Sequence, residues 1–319
     1  MTDLFGNEIV QKGKAKKKPK PKKVEKVEWS PSRTILLRQC NRKYYYKHYG
    51  SLKFKAKEQP FKEELAFCKS LTNKFLMVGK VIHSAIAKYY RDILKEDFEN
   101  DCDDLISFAE FILGKVIEYS EKKSVNPEHV GGKYDTSILM EIYNGTESSE
   151  EIEAFAILRI HKAIKNFFKE KYSFLREIPE GAHVEKKFSI YPLEHCKITG
   201  VLDLGFEIED EYLLNDWKTG FVEVENTSLQ MLTYALWAKE EFPDRKITLF
   251  KTYLIEDEIK PLEFSERQLL RARANLIQDC EEMLMLDEFG RKGNFSAFGK
   301  CNQEKICNQC PYQTVCIKN

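Results

Sequence analysis

The chain has 319 residues, enough to bury a sizeable core in one large domain or two smaller ones, and 51 basic side chains balance 51 acidic ones. No apolar run approaches the roughly 20 residues that span a bilayer, and no hydrophobic stretch opens the chain as a signal peptide would; this argues against a membrane or secreted protein and predicts a cytoplasmic location. Nine cysteines in such a chain point to thiols and metal ligation more than to disulfides.

The even charge balance conceals an uneven distribution. Residues 1–28 hold nine lysines (Lys12, Lys14, Lys16, Lys17, Lys18, Lys20, Lys22, Lys23 and Lys26) against four acids, which leaves the remainder slightly acidic. Low-complexity Lys/Pro sequence buries too little apolar surface to order itself, so 1–28 is predicted to be a disordered tail. Its lysines suit either a sequence-independent tether to nucleic acid or a solubilising role. Within it, Thr2-Asp-Leu-Phe5 faintly resembles the Asp-Leu-Phe core of peptides that dock on bacterial sliding clamps.

Amphipathic periodicity predicts helices over Asn73–Lys95, Asp103–Lys122 and Ser149–Tyr172, the last capped by Ser148 or Ser149. Between the second and third, Ser124–Gly145 contains Asn126-Pro127 and Gly131-Gly132 and reads as a loop. Strands follow over Val184–Tyr191, Lys197–Ile208 and Tyr212–Lys218, then a helix over Ser228–Glu240. Two further strands, Lys246–Ile255 and Ile259–Phe264, lead to a last helix over Glu266–Leu286.

The second and third strands flank the acidic loop Glu209-Asp210-Glu211 and read as a hairpin. With its turn centred between Glu209 and Asp210, Asp203 faces Asp216, their Cβ atoms about 5 Å apart, and like charges so placed are destabilising. A divalent cation removes the penalty, because hard metals accept carboxylate oxygens and keep other positions for water and phosphate. Strand alternation puts Lys218 on the same side as Asp216. The plain alternative is a half-exposed hairpin with solvated acids and a surface lysine.

Five ordered stretches carry a resemblance: Ser30-Pro-Ser32 with Cys40-Asn-Arg42 and Tyr44-Tyr-Tyr; Gly79-Lys-Val-Ile-His83; Gly200-Val-Leu-Asp203 with Asp216-Trp-Lys218; Gln230-Met-Leu-Thr-Tyr234; and Cys307-x2-Cys310-Pro-x4-Cys316. Together they resemble a RecB-like nuclease of the PD-(D/E)XK superfamily, in the branch that bears an iron-sulfur cluster, similar to CRISPR-associated exonucleases and the AddB nuclease domain. The resemblance implies an α/β, restriction-endonuclease-like core, a mixed sheet flanked by helices, within one domain over 29–319. Residues 102–172 would form an inserted helical lobe beside a DNA channel, and 298–319 a Cys-rich segment packed near Cys40.

It also implies a metal shell of His83, Asp203, Asp216 and the Trp217 carbonyl around Mg²⁺ or Mn²⁺, with Lys218 beside it. Gln230 and Tyr234, four apart on one helix face, would look onto the active site, although Tyr234 also reads as a core residue. Glu185 matches an acidic position of relatives and would orient a water or assist a second metal; a surface ion pair with Lys186 or Lys187 is the alternative. The implied reaction is phosphodiester hydrolysis by a DNA exonuclease on single strands or ends, in repair, recombination, phage replication or CRISPR processing. A binding subunit that uses the nuclease fold as a clamp is the rival. The Walker pattern does not occur, so unwinding would need a helicase partner.

Three clustered thiols need a fourth. The resemblance supplies Cys40, so that a 4Fe-4S cluster on Cys40, Cys307, Cys310 and Cys316 would tie the two ends of the domain together. The rival is Zn²⁺ on Cys301, Cys307, Cys310 and Cys316, whose spacing is credible by itself. Cys68, Cys102, Cys196 and Cys280 read as small buried apolar residues.

Overall fold

The computed structural model describes residues 27–52, 61–95, 101–131, 137–222 and 228–318. The Thr2–Phe5 motif and all nine tail lysines lie outside these residues. The predicted tail boundary is too late, however: Val27 and Glu28 belong to β1 (Val27–Trp29), which pairs in parallel with Cys196–Ile198. A three-residue strand is too short to announce itself by alternation.

Helices α1 (Pro31–Gln39), α2 (Asn41–His48) and α3 (Lys62–Ser70) follow, then β2 (Leu71–Thr72) and the long α4 (Lys74–Ile93). Ser30 caps α1 by accepting from the Arg33 amide, with Pro31 at the first helical position; Asn73 caps α4 in the same way through the Leu76 amide. Helix α5 (Cys102–Val125) leads to β3 (Ile138–Leu139) and α6 (Met140–Tyr143) inside the stretch expected to be a loop. These pieces form because Leu71 and Thr72 pair with Ile138 and Leu139, a long-range contact that local pattern does not reveal. Helix α7 (Ser149–Phe167) starts on a Ser148–Glu151 capping box, and α8 (Ser173–Arg176) precedes the main sheet.

The sheet comprises β4 (His183–Leu193), β5 (Cys196–Ile208), β6 (Glu211–Lys218), β7 (Lys246–Tyr253) and β8 (Glu258–Leu262), with β1 added to β5. Pairing is antiparallel for β4/β5, β5/β6 and β7/β8, and parallel for β1/β5 and β6/β7, where α9 (Leu229–Glu241) makes the crossover. This is the expected mixed sheet flanked by helices. One face packs on α9 and α10 (Glu266–Arg291) together with α2 and the C-terminal segment that carries α11 (Glu304–Asn308) and α12 (Gln313–Ile317). The other packs on α4, α5 and α7. The helices within 102–172 form the covering layer on this side and share a core with Leu204, Phe206, Leu213 and Trp217 of the sheet.

The register creates an opening. Ile198 pairs with both Trp29 and Ile190, and Gly205 with both Leu214 and His183, so β1 and β6 lie on the same side of β5, opposite β4. Parallel β1 and antiparallel β6 run toward each other along that side and stop short. Residues Thr199–Asp203 face the gap between the two strand ends.

Candidate active site

The hairpin closes as the sequence predicts, with Ile208 opposite Glu211 and Leu204 opposite Asn215; one step on, Asp203 stands opposite Asp216. There the strands part, and Asp203 Oδ2 accepts the Trp217 amide at 2.8 Å, so a carboxylate takes over where the ladder ends. Asp216 is almost wholly buried, at 2 % exposure. Its Oδ2 lies 2.6 Å from Lys218 Nζ, and its Oδ1 accepts from Gln230 Nε2 at 3.0 Å. The solvated-hairpin alternative fails on that burial.

Helix α4 brings His83 against this edge: Nε2 is 3.0 Å from the Trp217 carbonyl oxygen and Nδ1 is 3.5 Å from Asp203 Oδ1. The approach depends on Gly79, one turn earlier, where a Cβ would come 3.0 Å from Thr219 Oγ1. A larger residue would push α4, and His83 with it, away from β6. Gly200 has a similar role, because a Cβ there would meet the Phe188 ring at 2.4 Å. That ring in turn packs edge-on against Tyr234 at 5.8 Å.

Glu185 joins the site. Ligand atoms of His83, Glu185 and Asp203 all lie within 4.8 Å of one another, the one such group of three among the described residues. The β4/β5 ladder pairs Val184 with Leu204 and Lys186 with Leu202 but skips Glu185, which has φ 49°. A non-glycine residue in left-handed conformation costs roughly 1–3 kcal/mol, and here the twist accompanies a carboxylate delivered to the cluster. Three acids from three adjacent strands thus stand in a row, in place of the surface ion pair considered for Glu185. Gln230 and Tyr234 also take part: Lys218 donates to Gln230 Oε1 at 3.2 Å, Gln230 donates to the Tyr234 oxygen at 2.7 Å, and Tyr234 donates to the Val201 carbonyl at 2.8 Å. Tyr234 is at once buried and part of this network. The network holds Lys218 from two sides.

Burial pushes the Asp216 carboxyl up to about 6; Lys218 opposes that rise and Asp203 adds to it. Burial and Asp203 also raise Glu185. For His83, burial favours the neutral ring, but the contact with Asp203 outweighs it and the group is raised. In each case the folded state holds its proton more tightly than the unfolded chain does, so the stability these groups lend is present at low pH and lost as pH rises through the folded value. Such a set fits a divalent cation, which replaces the protons once they leave. The metal-free protein should therefore melt at lower temperature as pH increases through about 6, the value for Asp216. Stabilisation by added Mn²⁺ should grow over the same interval. Differential scanning calorimetry with and without the ion checks this, and equal stabilisation at pH 5 and pH 7.5 would contradict it.

Cys40, Cys301, Cys307, Cys310 and Cys316 line one cavity of about 220 Å³ between α2 and the C-terminal helices. Cys301 Sγ is 3.7 Å from Cys307 Sγ. Arg42 lines the same cavity, fixed by Arg42 Nε donating to the Phe298 carbonyl at 2.9 Å; its buried Nη1 has no hydrogen-bond partner among the described residues. A buried guanidinium nitrogen left open beside five thiols is what an anionic occupant would complement. Two expectations need correction. Cys196 and Cys280 are joined in a buried disulfide between β5 and α10, since strand and helix pack face to face there. Cys102, at the first turn of α5, is only partly buried, whereas Cys68 is buried as expected.

Thr219 and Arg159 carried no sequence signal. Arg159 Nη2 donates to the Thr219 carbonyl at 3.1 Å and anchors the segment after Lys218 to α7. Sequence pattern does not reveal a contact made by a half-buried arginine across 60 residues.

A profile of the PD-(D/E)XK nuclease superfamily matches residues 28–317. With the sheet, the acidic row and the lysine in place, the chain belongs to that superfamily, whose members are metal-dependent nucleases. No curated protein matches it. Among the described residues, no helix is long and apolar enough to cross a membrane.

Proposed function

We propose that this chain is a Mg²⁺- or Mn²⁺-dependent DNA exonuclease acting on single strands or strand ends. The observation that carries the reading is the convergence of His83, Asp203, Asp216 and Lys218 in a cleft of about 760 Å³ at the open gap between β1 and β6, with Glu185 within ligand distance of His83 and Asp203. The carboxylates, His83 and the Trp217 carbonyl would hold the cation, which supplies an acidified water and relieves charge on the phosphate. Lys218 presents an ammonium to the same phosphate oxygens as negative charge builds on them. Gln230 aims that ammonium, and Tyr234 fixes Gln230. Lys187 and Lys197, which also line the cleft, favour a polyanion there. Labelled single- and double-stranded DNA incubated with the purified protein should shorten from the ends in Mn²⁺ and stay intact in EDTA. Binding without cleavage under both conditions would favour the clamp reading and overturn this one.

We infer further that the cysteine cavity takes a 4Fe-4S cluster on Cys40, Cys307, Cys310 and Cys316. Thiolates bound to one Zn²⁺ at about 2.3 Å would crowd within about 4 Å of each other. Among the described residues no three cysteine sulfurs lie within 4.8 Å. Thiols spread around a cavity of this size suit a larger, anionic group.

A further inference from the structure

Resting on the nuclease reading, we propose that α4 carries a base-stacking subsite, with Phe75 as its platform, that takes a single DNA strand on the far side of the metal cluster. The main cleft shares His83 and Thr219 with a second cavity of about 600 Å³ along α4. Phe75, Gly79, His83, Ala87 and Arg91 recur every four residues and all line it, so one ridge of the helix forms its floor. At 1.5 Å per residue the ridge is about 24 Å long, with His83 about 12 Å from either end.

At one end Phe75 is 57 % exposed, unusual for a phenylalanine at a helix start. Its ring is braced from behind: it packs edge-on against Phe155 of α7 at 5.2 Å, while Phe155 lies beneath Lys74 at 4.8 Å and Arg159 at 5.4 Å. Arg159 is itself tied to Thr219 at the junction of the two cavities. Lys74 Nζ also lies over the Phe75 ring, 5.7 Å from its centre, so the exposed part of the ring stands beside a cation. Along the floor Lys80 and Arg91 supply positive charge against one acid, Glu185.

An aromatic platform beside a basic track is the arrangement that binds single strands, with bases on the ring and phosphates on the cations. A duplex keeps its base faces covered and offers nothing to Phe75. At about 3.4 Å per nucleotide, the roughly 12 Å from His83 to Phe75 places the stacked base about three to four nucleotides from the cleaved phosphate.

Fluorescence anisotropy with labelled oligothymidine and a blunt hairpin duplex tests this in the Asp216→Asn background, which retains the substrate. Stacking on one aromatic contributes about 1–3 kcal/mol, so Phe75→Ala should weaken single-strand binding about 5- to 140-fold. Duplex affinity and melting temperature should be unchanged within about twofold and a degree or two. Phe75→Trp should keep the affinity, and its emission should be quenched when the strand binds. A dinucleotide, too short to reach the ring, should bind both forms alike. Equal loss for strand and duplex, or no loss for either, overturns the subsite while leaving the nuclease reading intact. If the unaltered protein neither cleaves nor binds DNA, the nuclease reading itself fails, and the subsite with it.

Discussion

Asp203→Ala, Asp216→Ala and Lys218→Ala should each lower DNA cleavage in Mn²⁺ by about 10³-fold or more, with the fold retained. The two aspartates would hold the cation and Lys218 would face the reacting phosphate, and losing even one neutral donor to a developing oxyanion costs about 10²–10³. The three should differ in stability. Metal-free Asp216→Ala loses a buried carboxylate that is destabilising when charged, so at pH 7.5 its melting temperature should match or exceed that of the parent. Asp203→Ala leaves the Trp217 amide without its acceptor and should melt lower. Cleavage within tenfold of the parent in any of the three would remove the assignment of the active site, and the melting order separates a lost ligand from a lost fold.

The second large effect concerns the cysteine cavity. Cys40→Ser should abolish the visible absorbance and the bound iron and sulfide of protein purified without oxygen, whereas Cys301→Ser should retain them. A clip closing a loop of more than 200 residues contributes about 5 kcal/mol by chain entropy, so melting should fall by roughly 8 °C or more. Zinc in place of iron in the purified protein, with Cys301→Ser releasing it, would reverse the ligand set. Cys40 is held at the start of α2, where its sulfur accepts the Lys43 amide at 3.4 Å, so serine can keep the cap and the measurement reports the missing ligand.

The main sheet and its long helices were legible because their faces are either buried or wet over many residues. Asn73, Ser148 and Ser228, each a cap, mark where α4, α7 and α9 begin. The opposition of Asp203 and Asp216 followed from counting back from a two-residue turn, because side chains alternate with a fixed period of two. Three features could not be read in this way. Strand β1 exists only because β5 has an unfilled side. The backbone twist at Glu185 decides that this acid joins the cluster instead of pairing with Lys186 or Lys187. The bond between Cys196 and Cys280 depends on two elements 84 residues apart meeting face to face.

The long reach of the contacts around β1 and α2 has a consequence for biosynthesis. Trp29 donates to Asp279 across 250 positions, and Arg42 donates to the Phe298 carbonyl across 256. At about 5–20 residues per second, the ribosome needs roughly 12–50 s to make the missing partners. Throughout that delay Tyr45, Tyr46 and Tyr49, all buried in the finished protein, lack the rings of Phe298 and Tyr312 that pack on them. Assembly of the cavity that Cys40 shares with Cys301, Cys307, Cys310 and Cys316 therefore waits until translation is almost over.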